Sequence, residues 1–423
     1  MYFENEIVHP GDKIKKLRIM LRVAQKELSS KSISRNFISA IENKRESLSV
    51  NAANVIANNL NRIIDDGAYG LPHITAEELL LSEEEQAVII VKNRIKELNE
   101  HKNESIKQFK SRVTNIENMI SLYKMPEEVM YDFFEVVIDF YYNNFCYEIA
   151  EIYILKKLDL SSIKQNNIQY VESLLTKMKI YIKLNKDSSI IHLGEYILEY
   201  MRNNKIDNRT YRKRIYFNIA LSCKKLNNSK EGLDYISKLK SEFELTGYEL
   251  SDVTLLEGKL YRQIGDYKLA GIKIHEALEL SKKMKYTESI VIAHNSLAHH
   301  YLLLKDYGRA KFYVDMAMQI GSDNNMDDER AAQIFHEAFT IYMKFDEDEM
   351  FNYFEKTLDK AFLISNNGII LDTMNKMFDY FEEKNDINKN LEILKIINEK
   401  NKNYDKRTEL GQIYIRAFDY IYF

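Results

Sequence analysis

The chain has very little that interrupts a helix. Three prolines occur in 423 residues, Pro10, Pro72 and Pro126, and none follows. Proline removes a backbone donor and clashes with the preceding turn, so everything after Pro126 is free of the commonest helix breaker. Glycine is scarce too, at 13 residues. Together these shortages point to an all-α chain. The two cysteines, Cys146 and Cys223, are far apart and match no metal-ligand spacing, which fits a reduced, intracellular compartment. Long apolar runs are missing. Stretches such as 87–91 fall far short of the roughly 20 residues that cross a bilayer. The acidic start, Met1-Tyr2-Phe3-Glu4-Asn5-Glu6, lacks a signal peptide's apolar centre. A cytoplasmic protein with no membrane partner is expected. Hydrophobic content of 45% against 29% charged residues excludes a disordered chain.

Charge is present but unevenly spread. Residues 10–64 hold eleven Lys and Arg against four acids, a net +7 in a chain whose total is −4. A compact basic head on an acidic body suits a nucleic-acid module with a separate sensor. Within the head, residues 25–42 read as a helix closed by Leu28, a tight turn and a second helix. Leu28, Ile38 and Ile41 take the inward positions. That leaves Ser34, Arg35, Asn36 and Ser39 outward near the start of the second helix, where short polar side chains and an arginine can read base edges in a major groove. Lys44 and Arg45, just beyond it, suit phosphate contacts.

The run Gly11-x-x-Ile14-x-x-Leu17-Arg18, then Gln25-x-x-Leu28, then Ile38-Ser39-x-Ile41-Glu42-Asn43 resembles the Xre/Cro-type helix-turn-helix. The resemblance covers about 55 residues and implies five helices, with Val50 to Leu60 supplying the closing ones. It also implies that Gln25 lies against the DNA backbone. The chain departs from the pattern twice. The turn before Ser34 is short and lacks a glycine, and Lys44 stands where the family often has glycine. The segment Asp65-Asp66-Gly67-Ala68-Tyr69-Gly70-Leu71-Pro72 reads as a linker. The expected organisation is a DNA-binding domain over 1–66, a linker with connecting helices over 67–126, and a repeat domain over 127–423.

From about residue 127 a pattern of small and apolar residues recurs. Its clearest copies are Gly258, Tyr261, Ala270, Ile274, Ala277 and Ala298, Tyr301, Ala310, Val314, Ala317. Aligned on the first small position, the copies are Val137, Met178, Ala220, Gly258, Ala298, Ala338 and Met377, spaced 38 to 42 residues apart. This resembles the tetratricopeptide repeat, with helices longer than the usual repeat of about 34 residues allows. Small residues let the two helices of a hairpin approach, and each hairpin buries its remaining apolar face on the next. The resemblance implies a right-handed α-solenoid. A last helix over 408–423 would cap it.

Nothing resembles an active site, and no enzyme activity, cofactor or metal is expected. Gly67 and Gly70 do not form a phosphate loop. His294, His299, His300 and His336 bunch together, but the adjacent His299 and His300 point to different helix faces. A stacked repeat does offer a concave face, lined by the first helix of each pair. Positions three before and one after the small residue should reach it, which nominates Phe217, Leu221, Leu255, Lys259, Asn295, His299, Phe335 and Phe339. One turn either side adds Arg214, Asp252, Arg262 and Tyr342, and Asn218, one residue beyond Phe217, should lie at the groove's edge. Amides can bond a peptide main chain and arginine can clamp a carboxylate, so an extended peptide fits this lining.

A Xre-type head on tetratricopeptide repeats resembles the RRNPP regulators, which are cytoplasmic peptide receptors. That resemblance implies a homodimer on a palindromic operator in double-stranded DNA, controlled by a short signalling peptide in the repeat groove. The alternatives are the phosphatase-like or inhibitor branch, which uses its repeats to seize response regulators, and a protein scaffold without a peptide ligand. The +7 head argues against the phosphatase-like or inhibitor branch.

Overall fold

A computed structural model describes residues 3, 5–67, 69–160, 166–324, 326–364, 366–401 and 411. The expected capping helix over 408–423 lies outside the described residues, Gly411 apart. Every regular element described is helical, and the chain divides into two compact units. The first is Met1–Lys186 with Glu199–Ile206, the second Asp187–Leu198 with Asp207–Phe423.

The first unit begins with a head built from α1 (Pro10–Met20), a 3-10 turn (Gln25–Leu28), α2 (Arg35–Glu42), α3 (Val50–Asp66) and α4 (Ala76–Leu80). Ile14, Leu17, Leu28, Ile38, Ile41, Ile56 and Leu60 form its buried core. Gly11 lets α1 lie against α2, since a Cβ there would stand 2.1 Å from the Ile41 carbonyl oxygen.

Three features of the head differ from the sequence expectation. The first helix of the helix-turn-helix is only a four-residue 3-10 turn. Ser29 and Ser30 follow it at once, and the Ser29 hydroxyl bonds back to the Lys26 carbonyl, which competes with helix continuation. The closing helices are one continuous helix, α3. The core also does not end at residue 66. Ile74 and Leu79 pack into it, and the Asn61 amide bonds both the N–H and the C=O of Ile74, at 2.7 and 2.8 Å. The buried Lys13 ammonium donates to the carbonyls of Glu78 and Leu81, both at 2.8 Å, and so ties α1 to the end of α4.

Helix α5 (Glu83–Glu100) starts at a Ser82/Glu85 capping box, and α6 (Ile106–Leu122) at a matching Ser105/Gln108 box. Reciprocal side-chain bonds at these positions satisfy the free N–H groups of each first turn. At the head of α5, the buried Gln86 amide accepts from the Val8 N–H at 3.1 Å and donates to the Val8 carbonyl at 2.8 Å. The same nitrogen also reaches the carbonyls of Leu81 and Ser82. The unit continues with α7 (Glu127–Asn143), packed on α8 (Tyr147–Leu158), and then α9 (Asn167–Lys183).

Helix α10 (Asp187–Asn203) leads into the second unit. Five hairpins follow there: α11 (Arg209–Lys225) with α12 (Ser229–Glu242), α13 (Gly247–Gln263) with α14 (Tyr267–Lys283), α15 (Thr287–Leu303) with α16 (Tyr307–Asp323), α17 (Asp328–Tyr342) with α18 (Glu347–Leu363), and α19 (Asn367–Glu383) with α20 (Ile387–Asn401). The first helices of successive hairpins lie side by side. Most of them run 17 residues, which accounts for the long repeat spacing. All seven aligned positions from Val137 to Met377 are buried. Many hairpin turns pass through a left-handed residue, among them Asn227 (φ 59°), Gly265 (φ 85°), Lys305 (φ 58°) and Asn385 (φ 54°).

Candidate functional site

In the head, Ser34 caps α2 by accepting from the Phe37 N–H at 3.2 Å. Its neighbours Arg35 and Asn36 are exposed on the first turn, as are Lys44 and Arg45 beyond the helix. Ser39 is half-buried, and the Asn43 amide donates to its carbonyl at 2.7 Å. Lys44 adopts φ 60°, the left-handed conformation that glycine takes without strain. Its ammonium pairs with Asp12 at 2.8 Å.

The base of α2 is fixed by a buried carboxylate. Glu42 accepts from Arg18 Nε at 2.7 Å, from Arg18 Nη2 at 2.9 Å and from Gln25 Nε2 at 2.9 Å. Burial pushes the Glu42 carboxyl up, but the bonds from Arg18 and Gln25 outweigh it and hold the group below its ordinary value. The Gln25 amide nitrogen is therefore used inside the head, bracing the turn against the helix it precedes. The result is a short helix with a polar, basic N-terminal turn facing solvent and a rigid seat beneath it.

In the second unit, the shared face of the first helices, here called the trough, gathers charged side chains. Lys259 and Arg262 of α13 and Lys224 of α11 are close enough to act on one another, as are Asp252 and, on α17, Glu337. Burial, with Lys224 and Arg262 adding like charge, pushes the Lys259 ammonium down to about 7. Burial also lowers Arg262, to about 10, although Glu337 partly offsets it. The Arg262 guanidinium donates to the Ser296 carbonyl of α15 at 2.8 Å. His299 Nδ1 contacts both Glu337 oxygens, at 2.9 and 3.1 Å. Asn295, on the same helix as His299, has a buried Oδ1 without a donor among the described residues.

The trough thus unites five of the nominated residues, Asp252, Lys259, Arg262, Asn295 and His299. Others stand apart. Arg214 is exposed, and Phe217 and Asn218 are half-buried, Asn218 with a partner in the chain. Phe335 stacks on Tyr353 of its own hairpin's second helix, with centroids 6.2 Å apart. Leu255 and Phe339 are core residues, 5% and 0% exposed, so neither lines the trough. His299 and His300 do face different ways. His300 is buried beside Tyr301 and Tyr267. Among the described residues no cluster of His, Cys, Asp or Glu could hold a metal ion. No helix there is long and apolar enough to cross a membrane.

No family model matches the chain, and no curated protein matches it. Solved structures do. The apo form of the quorum sensor NprR from B. thuringiensis is similar at 14% identity, over 88% of this chain and 96% of that one, with a TM-score of 0.51. The fold is TPR-like. PlcR from Bacillus thuringiensis, in complex with the peptide PapR7 and DNA, aligns at 13% identity over 86% of this chain and 98% of its own, with a TM-score of 0.42. A Rap protein complexed with Competence and Sporulation Factor aligns at 13% identity over 97% of both chains, with a TM-score of 0.39.

Two trough residues escape the sequence rule, Lys224 and Glu337. Lys224 sits four residues after Ala220, as Arg262 does after Gly258, so applying that offset to every copy finds it. Glu337 directly precedes Ala338, an offset outside the rule of three before and one after; Glu257 holds the same place before Gly258.

Proposed function

We propose that the chain is a DNA-binding transcriptional regulator whose operator binding is set by a short peptide held in the trough of the second unit. The observation that carries this reading is the head. Arg35 and Asn36 are exposed on the first turn of a helix whose base is locked by Arg18, Glu42 and Gln25. A reading helix needs free polar ends and a fixed angle, and a response-regulator binder or a scaffold has no use for either. Two copies on a palindromic operator would supply the contact area that one small head lacks.

The sensor half rests on the trough. An extended peptide of about six residues spans roughly 20 Å, which is two to three helix spacings of about 8–10 Å. Asn295 has a buried, unanswered carbonyl oxygen, and a turn of its amide would offer that oxygen to a peptide N–H. The shared fold with the quorum sensor NprR agrees with such a role. The test combines gel shifts on the DNA upstream of the gene with thermal melts in the presence of candidate peptides. Asn295→Ala is expected to lose both peptide-induced stabilisation and the peptide's effect on DNA binding, while DNA binding without peptide persists. An unchanged response would remove Asn295 from the site. Absence of salt-sensitive DNA binding by the wild type would remove the regulator reading itself.

A further inference from the structure

Most charges on the shared face of the first helices are matched. Glu288 of α15 pairs with Arg330 of α17 at 2.9 Å. Asp372 of α19 is held by His336 at 2.8 Å and by Lys376 at 2.7 Å. One place is different. Among the described residues, Lys224 and Lys259 have no ion-pair or hydrogen-bond partner for their ammonium groups, and the guanidinium of Arg262 bonds only a backbone carbonyl. The carboxylates that face these cations are already engaged. Asp252 accepts from the Ser289 hydroxyl at 3.4 Å, Glu337 is held by His299, and Asp187, which also faces Lys224, pairs with Lys225 at 3.6 Å. Three like charges brought together out of bulk water are unfavourable unless a counter-charge arrives. One hairpin further on, the buried Oδ1 of Asn295 lacks a donor. A ligand that completes both features carries an anion at one point and an N–H a short distance along.

We propose that Lys224, Lys259 and Arg262 form a receptor for a carboxylate of the bound peptide, and that this sets the peptide's direction. The carboxylate lies against α11 and α13, and the main chain runs on towards Asn295 and α17. The proposal rests on the peptide reading and gives it a ligand chemistry: an acidic side chain or a free C-terminus.

The experiment uses the immobilised full chain and a pool of hexapeptides randomised at every position. The pool is made once with a free C-terminal carboxylate and once as the C-terminal amide, and captured peptides are identified by mass spectrometry. Several-fold better capture of the free-carboxylate pool assigns the anion to the C-terminus. Several-fold enrichment of Asp and Glu within the amide pool assigns it to a side chain. Lys259→Met keeps the aliphatic stem and is expected to capture peptides without either preference. Lys224→Met is made in parallel, so that a folding defect at one site does not decide the result. Capture by the wild type with no carboxylate preference overturns the receptor but leaves the peptide reading standing. A full preference retained in both variants does the same. Capture of no peptide from either pool removes both.

Discussion

On the proposed function, single side chains decide how the head would read DNA. Arg35 and Asn36 are exposed and lie outside the head's core, so replacing either with alanine should leave the fold intact. A good base contact is worth about 1–3 kcal/mol of discrimination. Arg35→Ala and Asn36→Ala are therefore expected to weaken binding to a matched operator far more than to a scrambled one in gel shifts. Equal losses on both would mean that these residues touch only phosphate. Glu42 works on the same helix from below. A carboxylate held below its ordinary value contributes stability above that value, and loses it as pH falls through the lowered one. In melts, the wild type should therefore lose its advantage over Glu42→Gln as pH drops below 4.5, the ordinary glutamate value. A gap that stays constant down to pH 3 would show that the charge of Glu42 is not what seats the helix.

Hairpins are the element in which sequence and structure agree most closely. Small or apolar residues at a fixed phase were legible because the helix crossing buries that position, and all seven are buried, Val137, Met178 and Met377 among them. The lining of the trough was only half legible. Leu255 and Asn295 occupy the same offset, three before the small residue, on the border between the buried and open arcs of the helix. There the side chain's own polarity settles which way it goes: Leu255 turns into the core and Asn295 stays in the trough. The turns hold a further expectation. Lys305 takes φ 58° between α15 and α16, a position that glycine fills in the equivalent turn at Gly265. A Cβ in that conformation costs roughly 1–2 kcal/mol, and glycine returns part of the gain through its freer unfolded chain. Lys305→Gly should therefore stabilise the chain by up to about 1 kcal/mol in denaturant titrations at unchanged slope. Destabilisation would mean that the lysine side chain holds something there.

At the scale of the whole molecule, the proposed homodimer makes a quantitative demand. If the body holds two heads at a fixed separation, the second head binds DNA at a high effective concentration. A fragment of residues 1–100 keeps Ile74, Leu79 and Gln86, and with them the core of the head, which a cut at residue 66 would strip away. It is expected to bind the operator far more weakly than the full chain in anisotropy titrations. Equal affinity would show that the repeats do not support DNA binding. The amide of Gln86 adds something to this picture. Because it grips Val8 in both directions while Lys13 grips the end of α4, the head has no swivel where it meets α5. Helix α5 then acts as the shaft of a key and the reading helix as its bit. On the proposed function, a twist applied to the shaft would reach the DNA without slack, and a glycine-rich insert at residues 81–82 would be the way to let it slip.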